Sequence, residues 1–359
     1  MNTRPTQQQV AELAGVTRAT VSYVLAGRAQ ELKITPAVVR RVREAARRLN
    51  YTPSHAARSL ASGKSMTLGL LLGGPAGVAM PFWGQLAEGA EAAALEAGYD
   101  VLLVSSRCQA APTGLSYLRQ GRVDALLALE EVAPSSARAW RKAPVLPVVI
   151  QAFGPPGLPS VGLDPAPGLR QAMEHLSGLG HRKLLWLSPG SRLDYGRSAV
   201  AQRVARDCGL EMRLVHLDVR ARPIGQPPDA RVAFWCQAIE AQVPNFLGAT
   251  AVLCWNDEMA LGLYAALTRR GLRVPEDLSV VGFDDYEAPL ALPPLSSVSH
   301  EFHTMGAEAT RLALRMVRGE LSADAASETV VLVSSRFVPR QSTGAAHGQV
   351  ARHSKGGEG

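Results

Sequence analysis

The chain contains few residues of the types that hold small or metal-bound folds together. Its 359 residues include only four cysteines, Cys108, Cys208, Cys236 and Cys254. None belongs to a Cys-x-x-C pair, and none has a histidine neighbour at metal-ligand spacing. We therefore expect no metal site and a reducing compartment. The length suffices for large cores in two or three domains.

Long apolar runs that could span a membrane are also lacking. The two uncharged stretches, 65–87 and 143–163, are interrupted by glycine and proline. Buried strands and loops explain them better than a lipid environment does. The first residues contain no apolar segment of signal-peptide length, so neither export nor a membrane partner is expected.

Acidic residues are scarce in one part of the chain. Residues 1–65 contain 11 Lys and Arg but only 3 acidic residues, a net charge of +8, whereas the remaining 294 residues have a net charge of −1. This asymmetry favours a polyanionic partner, such as nucleic acid, for the first segment alone. An ordinary solvated charged surface is the alternative.

The basic segment has the pattern of a helix-turn-helix. Apolar residues recur at helical spacing over 10–14 and again over 21–25. Between them, Gly15 can adopt the positive φ that ends a helix, and Thr17 can cap the next helix. A third amphipathic helix is predicted after Thr35 and Pro36. The pattern predicts a three-helix DNA-binding unit over residues 1–50, with an ordinary helical hairpin as the alternative.

The outward side of the second helix carries the candidate base-reading residues. Arg18 could make a bidentate contact with guanine or pair with a phosphate, and Ala19 could meet a thymine methyl group. Tyr23 could contact either a base or the backbone.

Residues 51–65 form a short helix candidate that begins after Pro53 and ends near Gly63. About eight residues are too few to stay helical alone in water, so their order should depend on another contact. Leu60 is either a wedge for a minor-groove base step or a linker residue that caps the core of the following domain.

The rest of the chain alternates buried strands with amphipathic helices. The predicted strands are 67–72, 100–105, 124–129, 147–151, 183–187, 213–217, 249–254 and 278–282. The predicted helices include 82–97, 167–179, 197–208, 230–241, 258–270 and 304–318. This alternation is typical of parallel sheets with right-handed crossovers, and the number of strands predicts two doubly wound lobes. Ligands bind such folds at the carboxyl ends of the strands.

Several short motifs resemble those of the lactose-repressor/galactose-repressor (LacI/GalR) family of bacterial transcription regulators. They are Val10-Ala11-Glu12-Leu13-Ala14-Gly15-Val16-Thr17, Ala19-Thr20-Val21-Ser22, Leu49-Asn50-Tyr51-Thr52-Pro53, Ala57-Arg58-Ser59-Leu60 and Arg340-Gln341-Ser342-Thr343. The resemblance implies an all-α helix-turn-helix head followed by an α/β body of two doubly wound parallel-sheet lobes, like type I periplasmic binding proteins. It implies these divisions: a head at 1–50, a hinge helix at 51–65, a head-proximal lobe at 66–161 and 293–323, a distal lobe at 162–292 and 324–342, and a disordered tail at 343–359.

The resemblance also implies the function. It predicts a cytoplasmic, nucleoid-associated homodimer that binds a pseudo-palindromic double-stranded DNA operator. It predicts a repressor controlled by a small-molecule effector, a sugar or related metabolite, with no cofactor and no enzymatic activity.

The site residues follow from the matching positions. The predicted DNA-binding residues are Thr6, Thr17, Arg18, Ala19, Thr20, Ser22, Tyr23, Ser54, His55, Ala57, Arg58 and Leu60. The predicted effector-binding residues are Arg197, Asn256, Asp284, Phe82 and Trp83. The polar members lie at predicted strand ends, where they suit hydroxyl recognition, although helix caps and a surface arginine would give the same pattern.

Several segments depart from the family pattern, among them Ile150-Gln151-Ala152, Tyr23 and the loop Arg28–Lys33. Met80-Pro81-Phe82-Trp83 stands where family members usually have Asn-Pro-Phe-Phe. This difference leaves open a more apolar effector, or none.

Two other classes of protein fit the sequence less well. An α/β enzyme with a DNA-binding appendage lacks support, because no intact P-loop, dinucleotide or hydrolase motif occurs. Asp284 and Asp285 are adjacent and should point in different directions, which favours a ligand contact plus a cap over a catalytic pair. An exported binding protein conflicts with the basic head.

Overall fold

The computed structural model describes residues 5–52, 59, 63–72, 82–105, 114–129, 134–150, 155–190, 194, 196–217, 219, 226–246 and 248–346. The chain divides into two compact units, Met1–Met66 and Thr67–Gly359.

The described residues of the first unit form three helices, α1 (Gln7–Ala14), α2 (Arg18–Leu25) and α3 (Pro36–Arg48). Their shared core is small and consists of Val10, Ala11, Ala14, Val21, Val24, Val42, Ala45 and Ala46. The predicted trihelical head is therefore confirmed.

The second unit alternates strands and helices along most of its length. Its strands are β1 (Thr67–Leu72), β2 (Asp100–Ser105), β3 (Ala125–Leu129), β4 (Val148–Ile150), β5 (Ser160–Asp164), β6 (Lys183–Ser188), β7 (Glu211–His216), β8 (Ala251–Cys254), β9 (Ser279–Asp284), β10 (Ser296–Ser299), β11 (Val330–Ser334) and β12 (Arg336–Val338). Its α-helices are α4 (Phe82–Glu96), α5 (Leu115–Arg119), α6 (Pro134–Trp140), α7 (Ala166–Gly178), α8 (Arg197–Asp207), α9 (Pro228–Glu240), α10 (Asp257–Arg269), α11 (Phe302–Val317) and α12 (Ala323–Ser327).

These strands form two six-stranded sheets. The first has the order β11-β5-β4-β3-β1-β2, and the second has the order β12-β10-β9-β8-β6-β7. Neighbours pair in parallel, except that β12 runs antiparallel to β10. Central strands such as β3 and β8 are buried along nearly their whole length, as parallel strands covered on both faces must be. The predicted pair of doubly wound sheets is confirmed.

Sheet pairing places the chain's crossings a few residues away from the expected lobe bounds. β5 continues to Asp164 in the first sheet, and β10 belongs to the second sheet although it lies inside 293–323. β11 belongs to the first sheet although it lies inside 324–342. Strands β5, β10 and β11 lie next to the points where the chain passes between the sheets. The bounds of each lobe are therefore set by the sheet to which these strands bond.

The expected disordered tail begins too early. Gly344 donates from its backbone nitrogen to Ser279 Oγ at 3.0 Å, and its carbonyl oxygen lies 3.0 Å from Nε2 of the buried His181. Ala346 donates to the carbonyl of Leu179 at 2.8 Å. Residues 343–346 are therefore ordered against the second sheet, because buried polar partners satisfy their backbone. Residues 347–359 lie outside the described part of the chain.

Helices α4 and α11 cross at very close range. Cβ atoms built on Gly89 and Gly306 would collide with the carbonyl oxygens of His303 and Leu86. Only glycine allows the two backbones to approach this closely. The crossing fixes the first turns of α11, and the chain enters that helix from β10 at the carboxyl edge of the second sheet.

Among the described residues, no helix is long and apolar enough to cross a membrane, and no cluster of three or more His, Cys, Asp or Glu side chains is arranged to hold a metal ion.

Candidate nucleic-acid interface and effector site

The turn between α1 and α2 is built by its two predicted residues. Gly15 has φ +62° and ends α1 in the left-handed conformation. Thr17 precedes α2 and accepts a hydrogen bond from the Thr20 backbone nitrogen at 3.1 Å. The Thr17 and Thr20 hydroxyls also bond each other at 2.9 Å, so both side chains serve the start of α2.

Thr6 caps α1 in the same manner. Its hydroxyl accepts from the Gln9 backbone nitrogen, and the Gln9 side chain accepts from the Thr6 nitrogen at 2.8 Å. This reciprocal pair is a capping box. Thr35 precedes α3 without a side-chain cap bond, and Pro36 occupies the first position of that helix.

One side of α2 is open to solvent. Val21 and Val24 are buried, whereas Arg18, Ala19, Ser22 and Tyr23 are exposed. The structure thus brings the predicted base-reading residues together on one surface. The guanidinium of Arg28 lies 5.7 Å from the centre of the Tyr23 ring and pairs with Glu31 at 2.8 Å, so this ion pair adds no net charge beside Tyr23.

Five predicted DNA-binding residues lie outside the described part of the chain. They are Ser54, His55, Ala57, Arg58 and Leu60.

The candidate effector residues of the second sheet converge at its carboxyl edge. Arg197 is the first residue of α8, and Asp284 ends β9. Arg197 Nη1 lies 3.5 Å from Asp284 Oδ1 and donates to the Trp255 carbonyl oxygen at 2.9 Å. The guanidinium also lies over the Phe283 ring, 4.1 Å from its centre. A guanidinium and a carboxylate, held against aromatic walls, can together recognise hydroxyl groups.

The neighbouring side chains of Asn256 and Asp257 mainly accept hydrogen bonds from within the protein. The Asn256 side-chain oxygen accepts from the Met259 nitrogen at 2.9 Å and caps α10. Asp257 is buried and accepts from Ser297 Oγ at 2.6 Å and from the Tyr286 nitrogen at 2.8 Å. Burial raises the pKa of Asp257 well above its usual range, and the Asp284 charge adds to that rise. Asp285 pairs with Arg340 at 2.6 Å and caps no helix, contrary to expectation.

His300, which the sequence analysis missed, completes the cluster. Its Nδ1 lies 2.9 Å from Asp284 Oδ1 and 3.0 Å from Arg197 Nη2. Its ring stacks on Phe302, with centroids 4.1 Å apart. Burial lowers the pKa of His300, which favours the neutral ring. His300 directly follows β10, so recognising that strand would have placed it at the carboxyl edge of the sheet. The serine-rich sequence of β10 does not resemble a buried strand, and the position was therefore missed.

An aromatic stack connects this cluster to α4. Phe82 stacks on Phe302 with centroids 4.7 Å apart, and Trp83 stands beside Phe82 at 5.5 Å. Phe82 is half-buried, whereas Trp83 is buried. Phe82 therefore lies one ring away from His300, and Trp83 packs into the body.

Comparisons with known proteins agree with both units. Residues 6–54 match the model for bacterial regulatory proteins of the lacI family, and residues 173–343 match the model for a periplasmic binding protein-like domain. The ribose operon repressor of Escherichia coli (strain K12) is 29% identical over 310 residues, which cover 84% of this chain and 89% of the relative.

Solved structures give the same fold. A complex of the transcriptional regulator CelR with cellobiose is 26% identical, with a TM-score of 0.60 over 94% of this chain and 100% of that one. The Lac repressor dimer bound to operator and the anti-inducer ONPF is 24% identical, with a TM-score of 0.73 over 96% of this chain and 100% of that one.

A capped helix-turn-helix precedes a body of two largely parallel sheets, and polar side chains lie at the carboxyl edge of the second sheet. One family model matches the helix-turn-helix, and another matches residues 173–343 of the body. The relatives are repressors of transcription. The chain therefore combines a lacI-type helix-turn-helix domain with a periplasmic binding protein-like domain, and it is similar to bacterial repressors such as the ribose operon repressor.

Proposed function

We propose that the protein is a homodimeric, sequence-specific repressor that binds a pseudo-palindromic DNA operator under the control of a small polyhydroxylated effector. The effector is a sugar or related metabolite, bound between the lobes without turnover. The protein acts in the cytoplasm on nucleoid DNA.

The observation that carries the proposal is the convergence of Arg197 and Asp284 at the carboxyl edge of the second sheet. Their charges balance, so the pair suits a neutral ligand that both donates and accepts hydrogen bonds. A hydroxyl group does both, whereas a carboxylate would be repelled by Asp284. The ribose operon repressor and the cellobiose complex of CelR are relatives whose names point to the same class of ligand.

The head supports the DNA half of the proposal. Arg18 and Ala19 lie at the amino-terminal end of α2, which is the end that reads bases in helix-turn-helix proteins. Two heads in a dimer would read two half-sites in successive major grooves, and residues 51–65 would meet in the minor groove between them. The site residues of this hinge are proposed to be Ser54, His55, Ala57, Arg58 and Leu60.

Selection of bound fragments from a randomised duplex pool tests DNA recognition. The full chain should enrich a pseudo-palindromic site. Arg18→Ala should relax the preference at one position of each half-site if Arg18 reads a base, at a cost of about 1–3 kcal/mol, or weaken all sites equally if it contacts phosphate. Arg315→Ala, an exposed arginine on α11, is the matched control and should leave the selection unchanged. Failure of the unaltered chain to enrich any site would refute the proposal.

Calorimetric titration with D-ribose and cellobiose tests the effector site. Arg197→Met should abolish binding of the sugar that the wild type takes up. Arg170→Met, which removes an exposed arginine paired with Asp207 at 3.1 Å, should not. Equal loss in both variants would contradict the assignment of Arg197.

A further inference from the structure

His300 contacts one group that needs a hydrogen-bond donor and another that needs an acceptor. Its Nδ1 lies 2.9 Å from the Asp284 carboxylate, which can only accept a hydrogen bond, and 3.0 Å from Arg197 Nη2, which can only donate one. A neutral imidazole nitrogen is either a donor or an acceptor. One Nδ1 atom therefore cannot satisfy both neighbours at the same time.

Each state of the ring has a different consequence. With a proton on Nδ1, His300 donates to Asp284, and the contact with Arg197 brings two N–H groups together. With the proton on Nε2 alone, Nδ1 accepts from Arg197, but its lone pair then faces a carboxylate oxygen. With both nitrogens protonated, the bond to Asp284 remains, and a second positive charge stands against the Arg197 guanidinium.

The surroundings select among these states. Burial and Arg197 lower the pKa of His300, while the hydrogen bond and charge of Asp284 oppose that shift. The other side chains stacked around the ring, Phe283 and Phe302, are uncharged. The nearby Glu301 is paired with Arg336 at 2.7 Å. Because a carboxylate accepts at short distance, the Nδ1–H neutral form fits best.

The backbone on both sides of the Asp284–His300 contact is strained. Asp284 has φ +105°, Asp285 has φ +56°, and Glu301 has φ +53°. Non-glycine residues in this region cost on the order of 1–3 kcal/mol each and persist where the surroundings hold them. Because the surrounding fold holds these strained residues in place, it also fixes the position of Asp284 relative to His300.

We propose that His300 is a positioning residue of the effector site. In its neutral Nδ1–H form it holds Asp284 toward the ligand. When it is protonated, its positive charge repels the Arg197 guanidinium, which weakens effector binding. The proposal rests on the effector function proposed above. Binding of a neutral sugar should therefore weaken on acidification even though the ligand does not titrate.

The first test needs no ligand. Nitrogen-15 NMR of the full chain, labelled at histidine, reports the tautomer and titration of each ring, and the signal that disappears in His300→Asn is that of His300. We expect the Nδ1–H tautomer, neutral to a pH below the ordinary histidine value of about 6.5. The Nε2–H tautomer, or an ordinary titration, would overturn the proposal.

The second test uses D-ribose and cellobiose as probes, measured by calorimetry between about pH 8 and about pH 5. Wild-type affinity should fall on acidification once His300 takes up a proton, by up to about tenfold per pH unit. His300→Asn keeps an N–H donor near the Nδ1 position, so it should retain affinity near neutral pH and lose the acid-side fall. His300→Phe keeps a ring against Phe302 but has no donor, so it should bind about tenfold more weakly at every pH.

Unchanged melting temperatures show that the variants fold. A wild-type pH profile retained in His300→Asn would refute the proposal. If neither sugar binds the wild type, the sugar class of the proposed function fails, and the NMR titration still decides the role of His300.

Discussion

Arg231 is a buried cation that faces two carboxylates. Its Nε lies 2.6 Å from Glu258 Oε1, and its Nη2 lies 3.4 Å from Glu287 Oε1. Burial, followed by repulsion from Glu258, raises the pKa of Glu287 from 4.5 to about 7, although Arg231 opposes the rise. The single positive charge of Arg231 therefore does not offset the unfavourable free energy of keeping both Glu258 and Glu287 ionised.

This imbalance predicts a pH dependence of stability. Because the pKa of Glu287 is higher in the folded chain than in the unfolded chain, the folded state holds the proton more tightly. The contribution of Glu287 is therefore most favourable below pH 4.5 and is lost as the pH rises through about 7. The free energy of unfolding of the wild type, relative to Glu287→Gln, should fall by at most about 3 kcal/mol over this range. Urea denaturation at several pH values measures it, and a pH-independent difference would contradict it.

Which polar residues share the effector site could be predicted in part. Arg197 and Asp284 were predicted to be together because carboxyl ends of parallel strands share an edge. The division of labour between ligand contact and helix cap could not be predicted, since the Asn256 oxygen that would meet a ligand also caps α10. His300 was missed because its position depends on the pairing of β10 with β9, and Ser-Ser-Val-Ser carries little strand signal.

At the scale of elements, the two caps of the head offer a matched comparison. Thr17 bonds the first turn of α2 through its hydroxyl, whereas Thr35 precedes α3 without such a bond. Thr17→Ala should therefore destabilise the head by about 1 kcal/mol, and Thr35→Ala by clearly less. Amide hydrogen exchange of α2 and α3 in the full chain measures both. Equal effects would show that the hydroxyl of Thr17 contributes nothing beyond Thr35.

The α4–α11 crossing gives a second comparison. A methyl group at Gly306 would collide with the Leu86 carbonyl oxygen, whereas one at Gly84 on α4 would meet nothing within 4 Å. Gly306→Ala should destabilise the body by about 1–3 kcal/mol. Gly84→Ala should stabilise it by up to about 1 kcal/mol, since alanine favours helix more than glycine. Calorimetric melting of the two variants in opposite directions would confirm the close crossing; a neutral Gly306→Ala would refute it.

Long amphipathic helices were predicted within a few residues of their observed bounds, because their period is visible in the sequence. The short strands β5, β10, β11 and β12 were not predicted. They join strands distant in the chain, as β11 joins β5, so no local pattern identifies the sheet to which each belongs. The lobe bounds therefore depended on the resemblance and shifted once pairing was known.

For the whole molecule, charge and compactness divide the chain at the same place. The unit Met1–Met66 is compact by itself, and residues 1–65 carry the net charge of +8 while the rest carries −1. Duplex DNA binds cations through counterion release, so affinity falls steeply with salt in proportion to the number of phosphates contacted. Nonspecific DNA binding should thus belong to the head alone.

Deletion of residues 1–62 tests this division. The shortened chain should keep the melting temperature and sugar affinity of the body, because both sheets and the Arg197–Asp284–His300 cluster lie beyond residue 66. It should bind neither a selected operator nor random duplex DNA at low salt. The full chain should bind random DNA with an affinity whose logarithm falls linearly with the logarithm of salt concentration, by about 0.9 per phosphate contacted. If the shortened chain still binds DNA in a salt-dependent manner, the DNA-binding surface lies in the body, and its assignment to α2 is wrong.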